Sequence, residues 1–128
     1  MRFLKKAGFV LPAAFFALFL FSATEAQAQR ETFHWTGTVD QDVQIVIRGR
    51  RATVRTMRGQ RYNDARYNFN GRSMGNRRRD ADVDKHDGRG KVRVIQQPSR
   101  RNNYTTIIRV EDPKGEPDRY SFTVKWDD

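Results

Sequence analysis

The chain contains several short segments in which apolar and polar residues alternate, the period-two pattern typical of half-buried β-strands. This pattern predicts strands over residues 32–39, 43–48, 52–57, 91–97, 104–111 and 119–126, with one further short strand over 65–69. Turn-forming residues separate these segments, and no segment has a helical period. We therefore predict an all-β fold, a single antiparallel β-sandwich or small barrel of six to seven short strands.

The two tryptophans are predicted to lie in the core. Trp35 shares its strand face with Phe33 and Val39, and Trp126 shares its face with other apolar residues of the last strand. Alternation of this kind places a large side chain inside the fold. The matching aromatic faces are also compatible with the first and last strands being neighbours in one sheet.

Two adjoining regions lack a clear strand pattern. Residues 58–80 are rich in Arg, Asn and Gly, and we interpret them as a basic loop region or one ragged edge strand. Residues 80–90 are acidic and polar, and we interpret them as a loop.

The first 28 residues are predicted to be a cleaved signal peptide. A basic start precedes an apolar run over residues 7–21, and the segment ends Ala-Gln-Ala at position 28. The run is shorter than the ~20 residues of a spanning helix and contains Pro12. We expect export to the periplasm or the exterior of a bacterium, without a transmembrane anchor. A lipid anchor is excluded because the chain has no cysteine.

Composition supports a single exported β-domain over residues 29–128. These 100 residues contain no leucine and only three alanines, whereas Val, Ile and aromatic residues supply most of the apolar side chains. Their formal net charge is +8, and Arg outnumbers Lys by 18 to 4. The excess of arginine over lysine favours the binding of phosphate, sulfate and carboxylate groups, which the planar guanidinium fork suits.

Arginines cluster at predicted turns and loop ends, where they would be exposed. We predict that this set binds anionic ligands; its members are Arg50, Arg51, Arg77, Arg78, Arg79, Arg100 and Arg101. Outside the cytoplasm the corresponding partners are anionic polysaccharide, lipopolysaccharide or another polyanion. The alternative interpretation is a basic surface without a dedicated ligand.

An acidic stretch gives a rival hypothesis, a calcium-stabilised structural or interaction module of the cell envelope. Its candidate ligands are Asp80, Asp82, Asp84 and Asp87. A helix-flanked calcium loop would require glycine and an acid where this chain has Lys85 and Lys91. The alternative is a solvated turn that neutralises the neighbouring arginines.

Residues suited to catalysis are scarce, so we predict a non-catalytic protein without a cofactor other than calcium. Cysteine chemistry is absent, and no serine lies in a Gly-x-Ser-x-Gly elbow. A Ser-His-acid triad would need His34 or His86, the two histidines of the chain. A small hydrolase that uses two carboxylates is the third hypothesis.

Overall fold

The computed structural model describes residues 30–59 and 65–127, so the predicted signal peptide lies outside the described residues. The described chain forms eight strands: β1 (Thr32–Val39), β2 (Val43–Arg48), β3 (Arg51–Thr56), β4 (Ala65–Asn70), β5 (Arg79–Asp87), β6 (Lys91–Gln96), β7 (Thr106–Glu111) and β8 (Asp118–Asp127). Gly75–Arg77 and Arg100–Asn102 form short 3-10 turns. The described ranges contain no apolar helix long enough to cross a membrane.

The strands form two antiparallel sheets of four strands each, in the orders β4-β1-β8-β5 and β3-β2-β7-β6. Two separate sheets make a sandwich, which decides between the two architectures that the sequence predicts. The first and last strands are neighbours, and Trp35 of β1 lies opposite Phe122 of β8. Their rings stack at a centroid distance of 5.2 Å.

The core lies between the sheets and is built from the alternating positions that the sequence indicates. Both tryptophans are buried, with exposed fractions of 1% for Trp35 and 0% for Trp126. The branched residues Val43, Ile45 and Ile47 of β2 belong to the same buried cluster. Full burial of a large apolar side chain stabilises a fold by about 1.5–3 kcal/mol, which is how a cysteine-free domain of this size holds together.

The prediction of six to seven strands is wrong by one element, because the acidic stretch interpreted as a loop is strand β5. Ala81 and Val83 turn toward the core while Asp82 and Asp84 face outward, so the stretch does alternate. It pairs with β8 on one side and is an edge strand. An edge strand needs few apolar residues, and charged side chains on it oppose pairing with other chains.

Successive strands run in opposite directions, so the connections between them alternate between the two ends of the sandwich. The β2–β3, β4–β5 and β6–β7 connections lie at one end. The β1–β2, β3–β4, β5–β6 and β7–β8 connections lie at the other end. This alternation decides which loops can form a joint surface.

Candidate functional site

One end of the sandwich collects the arginine clusters that the sequence singles out. We call it the basic end and define it by the connections 49–50, 71–78 and 97–105 with the strand residues that flank them. Its arginines in the described chain are Arg30, Arg48, Arg50, Arg51, Arg72, Arg77, Arg78, Arg79, Arg100 and Arg101. The described carboxylates there are Glu31, Asp80 and Asp127. A strong excess of positive charge therefore faces one direction.

A buried glutamate holds two of these connections against the core. Glu31 is fully buried, and its Oε1 lies 2.6 Å from Nε of Arg78. Its Oε2 lies 3.3 Å from Nε of Arg50 in the β2–β3 turn. The Arg50 guanidinium also donates to the carbonyl oxygen of Gly71. The turn and the 71–78 connection are thus fixed relative to each other.

Arg78 is the member of the predicted anion-binding set that the structure places inside the protein. It is 1% exposed, and its guanidinium lies 4.4 Å from the ring centroid of Trp126 and 5.5 Å from that of Phe69. An arginine stacked on aromatic rings and paired with a carboxylate acts within the fold. The expectation that Arg78 meets a ligand is therefore corrected, because its charge is already paired beneath the surface.

The remaining predicted arginines are exposed. Arg50 is partly engaged through Glu31, and its side chain is 40% exposed. Across residues 30–59 and 65–127, no carboxylate lies within ion-pair distance of a further set, whose members are Arg51, Arg77, Arg79, Arg100 and Arg101. Guanidinium groups without a carboxylate partner can donate hydrogen bonds to an anionic ligand.

A cleft of about 260 Å³ lies at the basic end where its three connections meet. Its lining residues are Arg48, Gly49, Gly75, Asn76, Asn103 and Tyr104. Nε of Arg48 donates to the Thr105 hydroxyl at 3.0 Å, which turns the guanidinium along the β6–β7 connection. The sequence set included none of these lining residues, because the cleft exists only once three distant segments are brought together.

The opposite end differs because its charges neutralise one another. Asp112 accepts hydrogen bonds from Arg89 at 3.1 Å and from the Tyr120 hydroxyl at 2.8 Å. Burial by itself would raise the pKa of Asp112, but the hydrogen bonds from Arg89 and Tyr120 outweigh it and hold this pKa below its ordinary value. Asp42 pairs with Arg109 at 3.3 Å. This end carries paired charges rather than a single sign.

Burial and the hydrogen bond to Asp112 together raise the pKa of Tyr120 to about 12. The Tyr120 hydroxyl also accepts the backbone N–H of Gly90 at 2.9 Å. This tyrosine therefore links the β5–β6 connection to the β7–β8 connection in its neutral form.

Strand β5 spreads the four candidate calcium ligands along its length. Asp82 lies opposite Lys125, and Asp84 lies opposite Thr123. Asp87 accepts the backbone N–H of Gly88 near the opposite end. From Asp80 to Asp87 an extended strand covers roughly 23 Å, so these four carboxylates do not converge. In the described ranges no three His, Asp or Glu side chains are grouped to hold a metal ion.

The two histidines, far apart in sequence, meet on one hydroxyl group. Nδ1 of His34 lies 2.9 Å and Nε2 of His86 lies 2.7 Å from Oγ1 of Thr123. The contact joins β1, β8 and β5 on the outer face of their sheet. Sequence reasoning missed it because it depends on the strand order, with β8 between the two histidine-bearing strands.

Comparison of the chain with protein-family models, with curated proteins and with solved structures finds no match.

Proposed function

We propose that this protein is an exported, non-catalytic module that binds anionic polymers through its basic end. The observation that carries the proposal is the meeting of three arginine-bearing connections at one end of the sandwich. Apart from Arg50, which pairs with Glu31, the exposed guanidinium groups of these connections and of the adjoining strand ends have no carboxylate partner within residues 30–59 and 65–127; they belong to Arg51, Arg77, Arg79, Arg100 and Arg101. Guanidinium groups crowded in this way attract a polyanion strongly, since each bound group displaces counterions from the polymer.

The predicted export of the chain narrows the partner to polymers outside the cytoplasm. Acidic polysaccharides and the anionic core of lipopolysaccharide are the main polymers of this kind on a bacterial surface. Binding needs no catalytic group and no deep cavity, which agrees with a small sandwich that presents arginines on short, anchored turns.

The test compares two variants that lose the same number of positive charges at different ends. The first carries R77Q, R79Q, R100Q and R101Q at the basic end. The second carries R58Q, K91Q, K114Q and R119Q, which replace exposed residues near the opposite end. Both mature proteins are loaded on immobilised heparin at low salt and eluted with a salt gradient, after a thermal melt shows that each is folded.

We expect the basic-end variant to elute at much lower salt than the wild type, and the control variant to elute near the wild type. In a plot of log binding constant against log salt concentration, we expect the basic-end variant to lose about three units of slope. Equal losses for the two variants would mean that net charge alone governs retention. A wild type that elutes no later than a neutral domain would overturn the proposal.

A further inference from the structure

The cleft at the basic end offers polar side chains that the fold itself does not use. Asn76, Asn103 and Tyr104 line it, and within the described ranges none of these three side chains hydrogen-bonds another residue. They supply two amide groups and a phenol hydroxyl, each able both to donate and to accept a hydrogen bond. Arg48 adds guanidinium donors beyond the Nε that Thr105 uses.

The backbone that presents Tyr104 is strained. Asn103 and Tyr104 adopt φ values of 57° and 54°, so two successive residues lie in the left-handed region. Asn tolerates this region, but an aromatic residue there costs on the order of 1–2 kcal/mol that glycine would avoid. Hydrogen bonds fix the conformation: the Tyr104 N–H donates to the Ser99 carbonyl at 2.7 Å, and Asn102 caps the turn.

The strained conformation of Tyr104 is best explained by a binding role for its aromatic ring in the cleft. The cleft is smaller than the ~300–1,000 Å³ of sites for drug-sized ligands, so it suits a unit of monosaccharide size. An aromatic face packs against the apolar face of a sugar ring, and amide groups bond to its hydroxyls. The Arg48 guanidinium suits a carboxylate, sulfate or phosphate on the same unit.

We infer that this cleft binds one anionic sugar unit, and that the polymer bound by the basic end is an acidic polysaccharide. This inference rests on the proposed function. A single-stranded nucleic acid is disfavoured, because such ligands stack successive bases on several aromatic side chains and the described cleft lining contains one. The arginines around the cleft would supply long-range attraction, while the cleft distinguishes a sugar from other anions.

Tyr104→Gly is the decisive variant because it removes the ring and relieves the strained φ at the same time. Asn103→Gly removes an amide and relieves the neighbouring φ. The matched control is Tyr67→Ala, which removes a tyrosine that is 42% exposed on edge strand β4 and does not line the cleft. Thermal melts are expected to show both glycine variants at least as stable as the wild type.

Binding is measured by titration calorimetry at one low salt concentration with four probes. A polygalacturonate hexamer and a heparin hexasaccharide carry carboxylate and sulfate on sugar rings. Polyphosphate of similar charge has no ring, and an oligothymidine has bases. We expect each glycine variant to bind at least one saccharide about fivefold or more weakly, with polyphosphate affinity within about twofold of the wild type. Weaker binding of both saccharides would indicate a carboxylate, which both carry, and weaker binding of heparin alone would indicate a sulfate.

The remaining outcomes distinguish a failure of the cleft inference from a failure of the proposed function. Unchanged saccharide binding in Tyr104→Gly, or an equal loss for polyphosphate, would overturn the cleft inference and leave the basic end as a general anion binder. A larger loss for oligothymidine would assign the cleft to a base and also overturn it. A wild type that binds none of the probes would remove the proposed function together with the inference.

Discussion

Three successive arginines have different roles because of the direction in which each side chain points. Arg77 and Arg79 are exposed, whereas Arg78 between them turns inward onto Glu31 and the Trp126 ring. A buried charge is tolerated only when it is paired, so Arg78 and Glu31 depend on each other. Sequence alone gives the cluster but not the inward member, because the partner lies 47 residues away.

The different roles predict different effects of substitution. Arg78→Met keeps the side-chain volume but leaves the buried Glu31 with Arg50 as its ion-pair partner and the Met74 N–H as a hydrogen-bond donor. We expect this substitution to lower the free energy of unfolding by about 3 kcal/mol. Arg77→Met should change the free energy of unfolding by less than about 0.5 kcal/mol. Urea denaturation measures both values.

Heparin retention of the folded proteins supplies the second comparison. We expect Arg77→Met to elute earlier than the wild type and Arg78→Met to elute with it. A stable Arg78→Met protein with weakened retention would show that Arg78 acts at the surface instead.

At the scale of elements, close approach of the backbone fixes the β5–β6 connection. A Cβ atom at Gly90 would lie 1.8 Å from the Glu111 carbonyl oxygen and 2.5 Å from the Tyr120 hydroxyl oxygen. Neither atom can retreat, because one belongs to strand β7 and the other to the buried network with Asp112. Gly49 in the β2–β3 turn has φ +58° and open space around the same position.

We therefore expect Gly90→Ala to destabilise the protein by at least about 3 kcal/mol through overpacking against fixed atoms. Gly49→Ala should cost only about 1 kcal/mol, the penalty of the left-handed conformation. Thermal or urea unfolding of both variants gives the comparison. Similar losses for the two would mean that the connection at Gly90 can move to make room.

Most elements could be predicted from alternation because their inward faces are large and apolar, as β1 and β8 show. Strand β5 could not, since its inward positions hold only Ala81 and Val83 between aspartates, which have low strand propensity. Its stability comes from backbone pairing with β8, which leaves little trace in the sequence. The signal that was present was the alternation of small apolar residues with acids.

At the scale of the whole molecule, strand β5 decides which arginine-bearing connections share one end of the sandwich. In an antiparallel chain each added strand moves all later connections to the other end. A chain that formed the 65–69 strand but not β5 would place Arg100 and Arg101 at the end opposite Arg50 and Arg77. Strand β5 returns these two arginines to the same end as Arg50 and Arg77, so that the arginines form one surface.

The two ends consequently respond to different variables. The basic end holds exposed guanidinium groups, so salt concentration governs its interactions. The opposite end joins the β5–β6 and β7–β8 connections through the Arg89, Asp112 and Tyr120 side chains. These bonds require a neutral tyrosine and an ionised aspartate, so pH governs the stability that this end contributes.

The raised pKa of Tyr120 predicts a loss of stability in alkali. Its pKa is about 12 in the folded protein and near 10 for an exposed tyrosine, so the unfolded chain loses this proton first as pH rises. The stabilisation that Tyr120 contributes is therefore complete below pH 10, and it decreases by on the order of 2 kcal/mol between pH 10 and about 12.

Tyr120→Phe keeps the ring and removes the titrating group, at a cost of about 1–3 kcal/mol near neutral pH because Asp112 loses a donor. Urea denaturation of the two proteins from pH 8 to pH 12 should show the difference between them shrinking as pH rises, while the other tyrosines and the lysines affect both equally. A difference that stays constant across this range would show that Tyr120 titrates alike in the folded and unfolded chains.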